Sequence, residues 1–440
     1  MPPYDLRVWP FHRNNAAEIR SREPYWLLRN GIGEAGARLD RSLECDVAIV
    51  GAGITGAFVA DSLIETGVRI VVLDERDIAQ GSTSASTALL QYEIDIRLDE
   101  LVGLLGPERA VRAYAACARS FSLLEKRMPE LLQLSDYERR ASLFLAADEP
   151  GVAELKIELA ARQAMGLKVS WVEADELRRR FGCHRPGGIL SELGAQVDPF
   201  RLARGLFAGA VRHGVKVFAR SRVDSIDEAG SVLRLRVGPY AVNAAHVVVC
   251  AGYESLRFLP TEVAKIHNTF ALVTEPLDEP AHATRLPLIW EDATPYMYLR
   301  GTSDGRLIVG GEDVPFKSAT AREALLPRQI RRLSEKYEKL FAAPLPKVAY
   351  TWAGSFAETE DGLPYLGAVP GMNPRLQFAL CYGGNGITYG VHAGEMVRAG
   401  IEGRAHELDD VFGFKRKGDI PSYWEQKTTP SHRQRTHALD

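Results

Sequence analysis

The spacing of apolar and polar positions changes period several times along the chain, and each change predicts an element. Residues 46–50, DVAIV, form a short apolar run that stops at a glycine. A helical pattern follows from Thr55 to Thr66-Gly67, and a second apolar run, RIVVL, occupies 69–73. Strand, helix and strand in that order are how a parallel sheet begins. Helical spacing dominates the next stretch, in PERAVRAYAACARSFSLLEKR and in PGVAELKIELAARQAMG, where Gly166 supplies a C-terminal stop. A further helix, DPFRLARGLFAGAVRHG, carries apolar residues at Leu202, Leu206, Phe207, Ala210 and Val211. It leads into short strands with turns at AGS and GPY, ending on the apolar run VVVCAG. Residues 266–354 are strand-rich (NTFALVTEP, PYMYLR, GRLIVGGED) and are interrupted by one amphipathic helix around Pro327. The chain then returns to LPYLGAVPG, LQFALCYGGNGITYG and a helix VHAGEMVRAGIEG.

Composition narrows the class. A chain of 440 residues exceeds one core of ordinary size and suits two joined domains. Hydrophobic content of 46% with 25% charged residues describes a globular protein, and a net charge of −3 gives no attraction to nucleic acid or an anionic membrane. Five cysteines (Cys45, Cys117, Cys183, Cys250, Cys381) without CxxC spacing suggest neither a disulfide framework nor a zinc site. No metal is expected: the adjacent pair Cys183-His184 lacks further ligands at metal spacing and reads as a loop. The first residues lack the apolar run of a signal peptide, and no apolar segment reaches the roughly 20 residues of a membrane span. A cytoplasmic location is therefore expected.

The chemistry begins at Gly51-Ala52-Gly53-Ile54-Thr55-Gly56. In a GxGxxG turn after a strand, the first glycine permits the tight turn and the second leaves room for a pyrophosphate. The third lets the helix pack on the strand, whose N-terminal amides then face the phosphates. Asp74, at the end of the next strand, stands where a ribose hydroxyl can be held. FAD and NAD present the same ADP group to such a unit, so the motif does not choose between them. The rest of the chain does. The sheet is completed by VVVCAGYES, about 170 residues further on, and by YGGNGIT nearer the end. A nucleotide domain assembled from distant segments, with a strand-rich domain inserted, is the plan of large flavoproteins.

Over roughly residues 44–403 the sequence resembles the D-amino-acid-oxidase-like (DAO) family of FAD-dependent oxidoreductases, closest in character to glycine, sarcosine and γ-glutamylputrescine oxidases. GAGITG with Asp74, GSTSASTALLQ, AQVDPFRLARGLFAGAVRHG, VVVCAGYES, YLRGTSDGRLIVGGED, WAGSFAETEDGLPYLG and GGNGITYGVHAGE carry the resemblance. It implies an α/β fold: a discontinuous FAD-binding Rossmann-like domain of glutathione-reductase type, and an α+β substrate domain on a mixed or antiparallel sheet. The expected division is an arm (1–43), an FAD-binding domain (44–110, 190–265 and 355–410), a substrate domain (111–189 and 266–354) and a polar tail (411–440). The arm is expected to lie on the surface.

The resemblance further implies that Gly51, Gly53 and Gly56 cradle the FAD pyrophosphate while Asp74 holds the adenosine ribose. Ile54, Thr55, Glu75, Arg76 and Gly81 belong to the same site. Ser82, Thr83, Ser84 and Ser86 line the pyrophosphate and ribityl chain, Val223 meets adenine through its backbone, and Ala251 and Gly252 lie beside the ribose. Gly384, Asn385, Gly386, Ile387 and Thr388 close over the flavin's pyrimidine edge, where amides stabilise negative charge. Noncovalent FAD is expected, with Cys381 pointing into a core strand.

Two positions depart from the family pattern. Where the amino-acid oxidases carry an arginine that clamps the substrate carboxylate, this chain has Phe356, and no nearby basic residue replaces it. An amine, a substituted amine or an amino acid gripped elsewhere fits better. Where sarcosine-oxidase-like members place an oxygen-activating lysine, the chain has Ile308, or Arg306 if the alignment slips. That substitution tilts the reading toward a dehydrogenase with another electron acceptor, O2 remaining the alternative. Substrate-side candidates are Tyr298, Arg300, Phe356 and Trp352, with Trp290, Glu291, Tyr296 and Glu358 around them. Arg300 could hold an anionic tail or pair with Glu291. The leading expectation is hydride removal from a C–N bond to flavin N5, the imine being hydrolysed by water. Oxidation of a C–OH bond, as in the FAD-linked glycerol-3-phosphate dehydrogenases, and a noncatalytic flavoprotein subunit are the alternatives, with a nicotinamide enzyme a remote fourth.

Overall fold

The computed structural model describes residues 19–33 and 35–418. Leu43–Val50 and Ile70–Leu73 pair in parallel, joined by the helix Ile54–Leu63, as the two apolar runs require. The strand Tyr240–Val249 lies in parallel on the other side of Leu43–Val50, Val247 opposite Ala48, so VVVCAG does complete this sheet from a distance. Leu376–Leu380 follows in parallel beside Val247–Val249, Lys216–Phe218 closes the opposite edge, and the hairpin of Ser225–Ala229 and Val232–Val237 extends the eight-stranded sheet. Its central strands are apolar on both faces because both are covered. The helix Gly386–Ile401 lies against Ile54–Leu63, where Gly390 and Gly394 leave the space that Phe58 and Ser62 occupy.

The second sheet has nine strands. Arg20–Ser21 is at one edge, followed by Val348–Glu358, Lys265–Thr274, Leu307–Pro315, Met297–Gly301, Leu288–Asp292, Ser142–Ala146, Gly187–Ser191 and Val169–Glu173. All these pairings are antiparallel except Leu288–Asp292 with Ser142–Ala146. The helix Ala319–Phe341 continues through Pro327 and packs its buried Leu326, Leu333 and Leu340 behind this sheet. The fold is thus α/β, with a Rossmann-like sheet built from distant segments and a mixed, mainly antiparallel second sheet.

Three expectations about the division of the chain are corrected. Part of the described arm is buried and does not lie on the surface: Trp26 is 1% exposed, and its indole donates to the Ser86 carbonyl at 2.7 Å. The expected tail begins too early. Val411, Phe412 and Phe414 are buried, and Arg416 reaches Asp361 at 2.6 and 3.1 Å across the aromatic face of Tyr365. Charged residues on both sides of them, Asp409-Asp410 and Lys415-Arg416-Lys417, hid a short core-packing segment inside a polar run. Residues 1–18 of the arm and 419–440 of the tail lie outside the described residues. Finally, the helix Pro107–Arg127, expected with the substrate domain, packs on the nucleotide side: His392 of Gly386–Ile401 bonds the Ala116 carbonyl at 2.7 Å.

Candidate active site

One continuous cleft of about 290 Å³ runs between the two sheets, from Glu75, Arg222 and Val223 past the glycine turn to Tyr296, Tyr298 and Phe356. Gly51 sits at φ +115°, and a Cβ there would come 2.3 Å from the Cys250 carbonyl oxygen. Gly56 packs away from the cleft, a Cβ there meeting the Gly51 carbonyl at 2.0 Å, so this third glycine serves helix–strand packing. Gly53 faces the cleft, with Thr83 its nearest neighbour. Thr83 Oγ1 accepts the Ile54 N–H at 3.0 Å and ties the Ser/Thr run to the start of the helix.

Asp74 accepts the amides of Ala52 at 2.5 Å and Arg76 at 2.7 Å, one on each carboxylate oxygen. Each oxygen keeps accepting capacity for a ribose hydroxyl. Burial pushes the Asp74 carboxyl up, and the two amides and Arg76 oppose that. Arg76 is committed to Glu254 (3.0 and 3.2 Å) and to Glu75 (2.7 Å). Glu75, buried beside the Glu254 carboxylate, is raised to about 7. The Val223 carbonyl is already taken by Arg257 at 2.6 Å.

Ser82, Thr83 and Ser86 line the cleft together with Gly81, Ile54, Thr55, Ala251 and Gly252. Ser84 does not; it is fully buried and donates to the Gly81 carbonyl at 2.9 Å, because the residues Ser82–Ala85 form a helical turn that rotates it inward. Behind the cleft wall the loop is held by three donors. Trp26 reaches Ser86 O, Trp352 reaches Ala85 O at 2.9 Å, and Arg300 reaches Ala88 O at 2.8 Å. Two substrate-side expectations are thereby corrected. Arg300 and Trp352 share a strand face with Tyr298 and Phe356, but residues 85–88 cover that end of the sheet, so neither side chain lines the cleft. Arg300 does not meet Glu291 either, since Glu291 is held by Arg185.

At the far end, Gly384, Asn385, Gly386, Ile387 and Thr388 line the cleft at the N-terminus of Gly386–Ile401. The Gly384 amide donates to Asp95 at 2.7 Å, and the Asn385 side chain donates to the Gln91 and Glu93 carbonyls at 2.9 and 2.8 Å. Asn385 therefore staples the neighbouring loop and leaves the helix's first amides uncapped by its side chain. Cys381 lines the cleft instead of pointing into a core strand, and burial pushes its thiol up to about 12.

Trp290, Tyr296, Tyr298 and Phe356 do converge on this end. The tyrosine rings are 5.8 Å apart, and Trp290 is stacked on Phe144 at 3.6 Å. Arg306 is occupied by Asp304 and the Thr274 carbonyl, and Ile308 is buried outside the cleft, so neither alignment of that strand brings a cation to it. Sequence reasoning missed Asp95, Thr269, Gln91, Glu93 and Ile19, all of which line the cleft. Asp95, Gln91, Glu93 and Ile19 are loop residues that leave no periodic signal, and Thr269 lies inside the strand Lys265–Thr274. Among the described residues no group of three or more His, Cys, Asp or Glu is placed to hold a metal. Likewise, no described helix is long and apolar enough to cross a membrane.

An extended dinucleotide fits this shape: a carboxylate at one end, a glycine turn and hydroxyl loop in the middle, and a second uncapped helix start at the other. The profile of the FAD dependent oxidoreductase (DAO) family matches residues 46–399. The chain belongs to that family. As a DAO-family protein it is an FAD-dependent oxidoreductase, and FAD is its cofactor. It is 26% identical over 380 residues to γ-glutamylputrescine oxidoreductase of Escherichia coli (strain K12), covering 84% of this chain and 87% of that one. It is 25% identical over 405 residues to glycine oxidase of Bacillus licheniformis, covering 84% and 96%. Glycine oxidase from Geobacillus kaustophilus shares the DAO fold with a TM-score of 0.71 at 20% identity, over 85% of this chain and 99% of that one.

Proposed function

We propose that the protein oxidises a C–N bond of an amine or N-substituted amino acid, giving an imine that water hydrolyses. The observation that carries this reading is the substrate end of the cleft, where Trp290, Tyr296, Tyr298 and Phe356 converge and, among the described residues, no basic side chain lines the wall. Aromatic faces suit a cationic nitrogen, and exclusion of water strengthens such contacts. A free α-carboxylate would find no cationic partner there among the described residues. The relatives named for γ-glutamylputrescine and glycine support an amine-type substrate.

In this reading the glycine turn and Thr83 would hold the pyrophosphate and Asp74 the ribose, and the amides opening Gly386–Ile401 would supply donors for negative charge on the bound cofactor. When bound, FAD supplies the two-electron acceptor. The tyrosines and Phe356 orient the carbon bearing nitrogen and keep water from it. Because no lysine lines the cleft among the described residues, an electron carrier other than O2 is the favoured acceptor. Anaerobic bleaching of the flavin by a panel of primary and secondary amines, against a panel of hydroxy acids and polyols, tests the reading. Reduction by the second panel alone would overturn it.

A further inference from the structure

Arg300, on the strand Met297–Gly301, is a cation enclosed in the protein at 2% exposure. Among the described residues it forms no ion pair. Its Nη1 donates to the Ala88 carbonyl at 2.8 Å, its guanidinium lies over the Trp26 ring at 5.1 Å, and its buried Nε has no partner. Two other buried arginines differ: Arg162 holds Glu158 at 2.6 Å, and Arg416 holds Asp361 at 2.6 Å. Asp198 is the carboxylate that most offsets the charge of Arg300, and it is already engaged. It accepts the Phe200 and Arg201 amides at 3.0 Å each and the Asn30 side chain at 2.7 Å. Burial pushes the Arg300 guanidinium down, with Arg29 and Arg140 adding to that, yet such a group keeps its proton in a protein. A buried charge left unpaired is among the costliest arrangements in a folded chain, so it points to an anion that the polypeptide does not itself supply.

A single turn of backbone separates Arg300 from the cleft. Ala88 lines the cleft, and its carbonyl is bonded to the guanidinium behind the wall. Ala88 sits at φ +53°, a left-handed conformation that non-glycine residues seldom adopt, and its N–H donates to Ser86 Oγ at 3.1 Å. The segment also has a definite place along the cleft. Thr83 is tied to the start of the first helix through the Ile54 amide, and the Gln91 carbonyl is tied to Asn385 at the other end. Ala88 lies between them and nearer Asn385 in the chain, so the guanidinium stands behind the half that would take the flavin ring. The arginines that line the cleft itself, Arg76, Arg222 and Arg257, stand with Glu75 and Glu254 at the adenosine end, whereas the charged residues lining the ring half are Glu93 and Asp95. A positive potential there has to come from helix amides and from behind the wall.

We propose that Arg300 is a positioning residue whose counter-charge is the bound flavin: acting through the Ala88 peptide, it favours the negative charge that the ring gains on reduction. Hydride transfer breaks a C–H bond of the substrate and carries the hydrogen with both bonding electrons to the ring, which is left one unit more negative. Little water separates the guanidinium from the cleft wall, so the charge acts across it with weak screening. The inference rests on FAD and goes beyond C–N oxidation, since it holds for any hydride donor. Its test uses no substrate and is decided independently of that reading.

Sulfite is the probe, because it adds to oxidised flavin through its sulfur lone pair and leaves the ring anionic. Titration of the holoenzyme, followed by loss of the flavin absorbance, gives a dissociation constant. Arg300→Gln is expected to raise that constant about tenfold or more and to lower the flavin midpoint potential. Arg300→Lys keeps the charge and is expected to stay within about threefold of the parent. Trp352→Phe removes the donor to the Ala85 carbonyl, loosening the same loop without changing its charge, and is also expected to stay within about threefold. Arg300→Met serves as the second neutral variant should Arg300→Gln not fold. Parent-like sulfite binding and potential in the neutral variant overturn the proposal, and so does a parent that binds no sulfite. An equal loss in Trp352→Phe or Arg300→Lys overturns it too, because Arg300 would then be only a brace for the loop.

Discussion

Tyr298 and Gly310 face each other on neighbouring antiparallel strands, and the tyrosine ring fills the space a side chain at Gly310 would need. A Cβ built there would lie 2.5 Å from both the ring and its hydroxyl. The pairing fixes where an aromatic wall of the substrate site stands. Gly310→Ala is accordingly expected to displace Tyr298, since a packed wall does not absorb an overlap of that size without moving. Steady-state kinetics with a reducing amine should show kcat/KM lowered by about tenfold or more, a loss of about 1–3 kcal/mol in transition-state binding, at unchanged FAD content.

Thr83→Val removes the hydroxyl that accepts the Ile54 amide while keeping the side chain's shape. The freed N–H and the loosened loop both lie where the pyrophosphate is expected. Reconstitution of the stripped protein should show FAD affinity lowered by about tenfold, the equivalent of one charge-assisted hydrogen bond.

Phe356→Arg places a guanidinium in the cleft wall, opposite His267 on the neighbouring strand. The variant is expected to reduce its flavin at least about tenfold faster with glycine than the parent does, and more slowly with simple amines. Anaerobic stopped-flow traces with the two substrates check it; an unaltered preference would show that Phe356 does not set substrate charge.

Asp361→Ala leaves Arg416 in the core without its carboxylate, both side chains being fully buried in the present structure. Uncompensated buried charge is costly, about 3–5 kcal/mol, so chemical denaturation should report a loss of that order. Removing the residues after Gly413 deletes the arginine with its partner left behind and is expected to destabilise as well.

The pH dependence of stability follows from Asp313. Its folded value of about 7 lies above that of an exposed carboxylate, so between the two values the folded chain holds a proton that the unfolded chain has lost. Stability therefore falls as pH rises through that window. The groups facing it, Tyr296, Thr269, Asp95 and Glu358, supply no positive charge to offset the effect. Asp313→Asn is expected to melt closest to the parent at about pH 4 and increasingly above it as pH rises to about 7. A difference in melting temperature that stays constant across this range would exclude the shift.

Much of the fold was legible because it is written in periodicity. The two apolar runs, the glycine turn between them and the distant VVVCAG strand specify a parallel sheet, and those strands lie where the pattern puts them. Alternation also placed Tyr296 and Tyr298 on one face correctly. It failed for Arg300 and Trp352 because a face is not a cavity: a loop from elsewhere in the chain covers part of it. The burial of Asp313 was illegible for a different reason. A bulge shifts the side-chain period by one residue, and only the adjacent pair Gly310-Gly311 hints at it in the sequence. Ser84 turned inward because four residues of the hydroxyl run coil into a helical turn, which a run of small polar residues does not announce.

The three donors that grip residues 85–88 have a consequence for how the protein matures. They come from residues 26, 300 and 352, and the cleft they brace also needs the strand Leu376–Leu380 and the helix after it. Contacts so far apart in sequence form late and together, since each must bear the entropy of closing a long loop. A nascent chain that has completed its first strand–helix–strand unit therefore has the glycine turn but no brace behind the adjoining loop. Flavin capture therefore belongs to the completed polypeptide and not to its first strand–helix–strand unit.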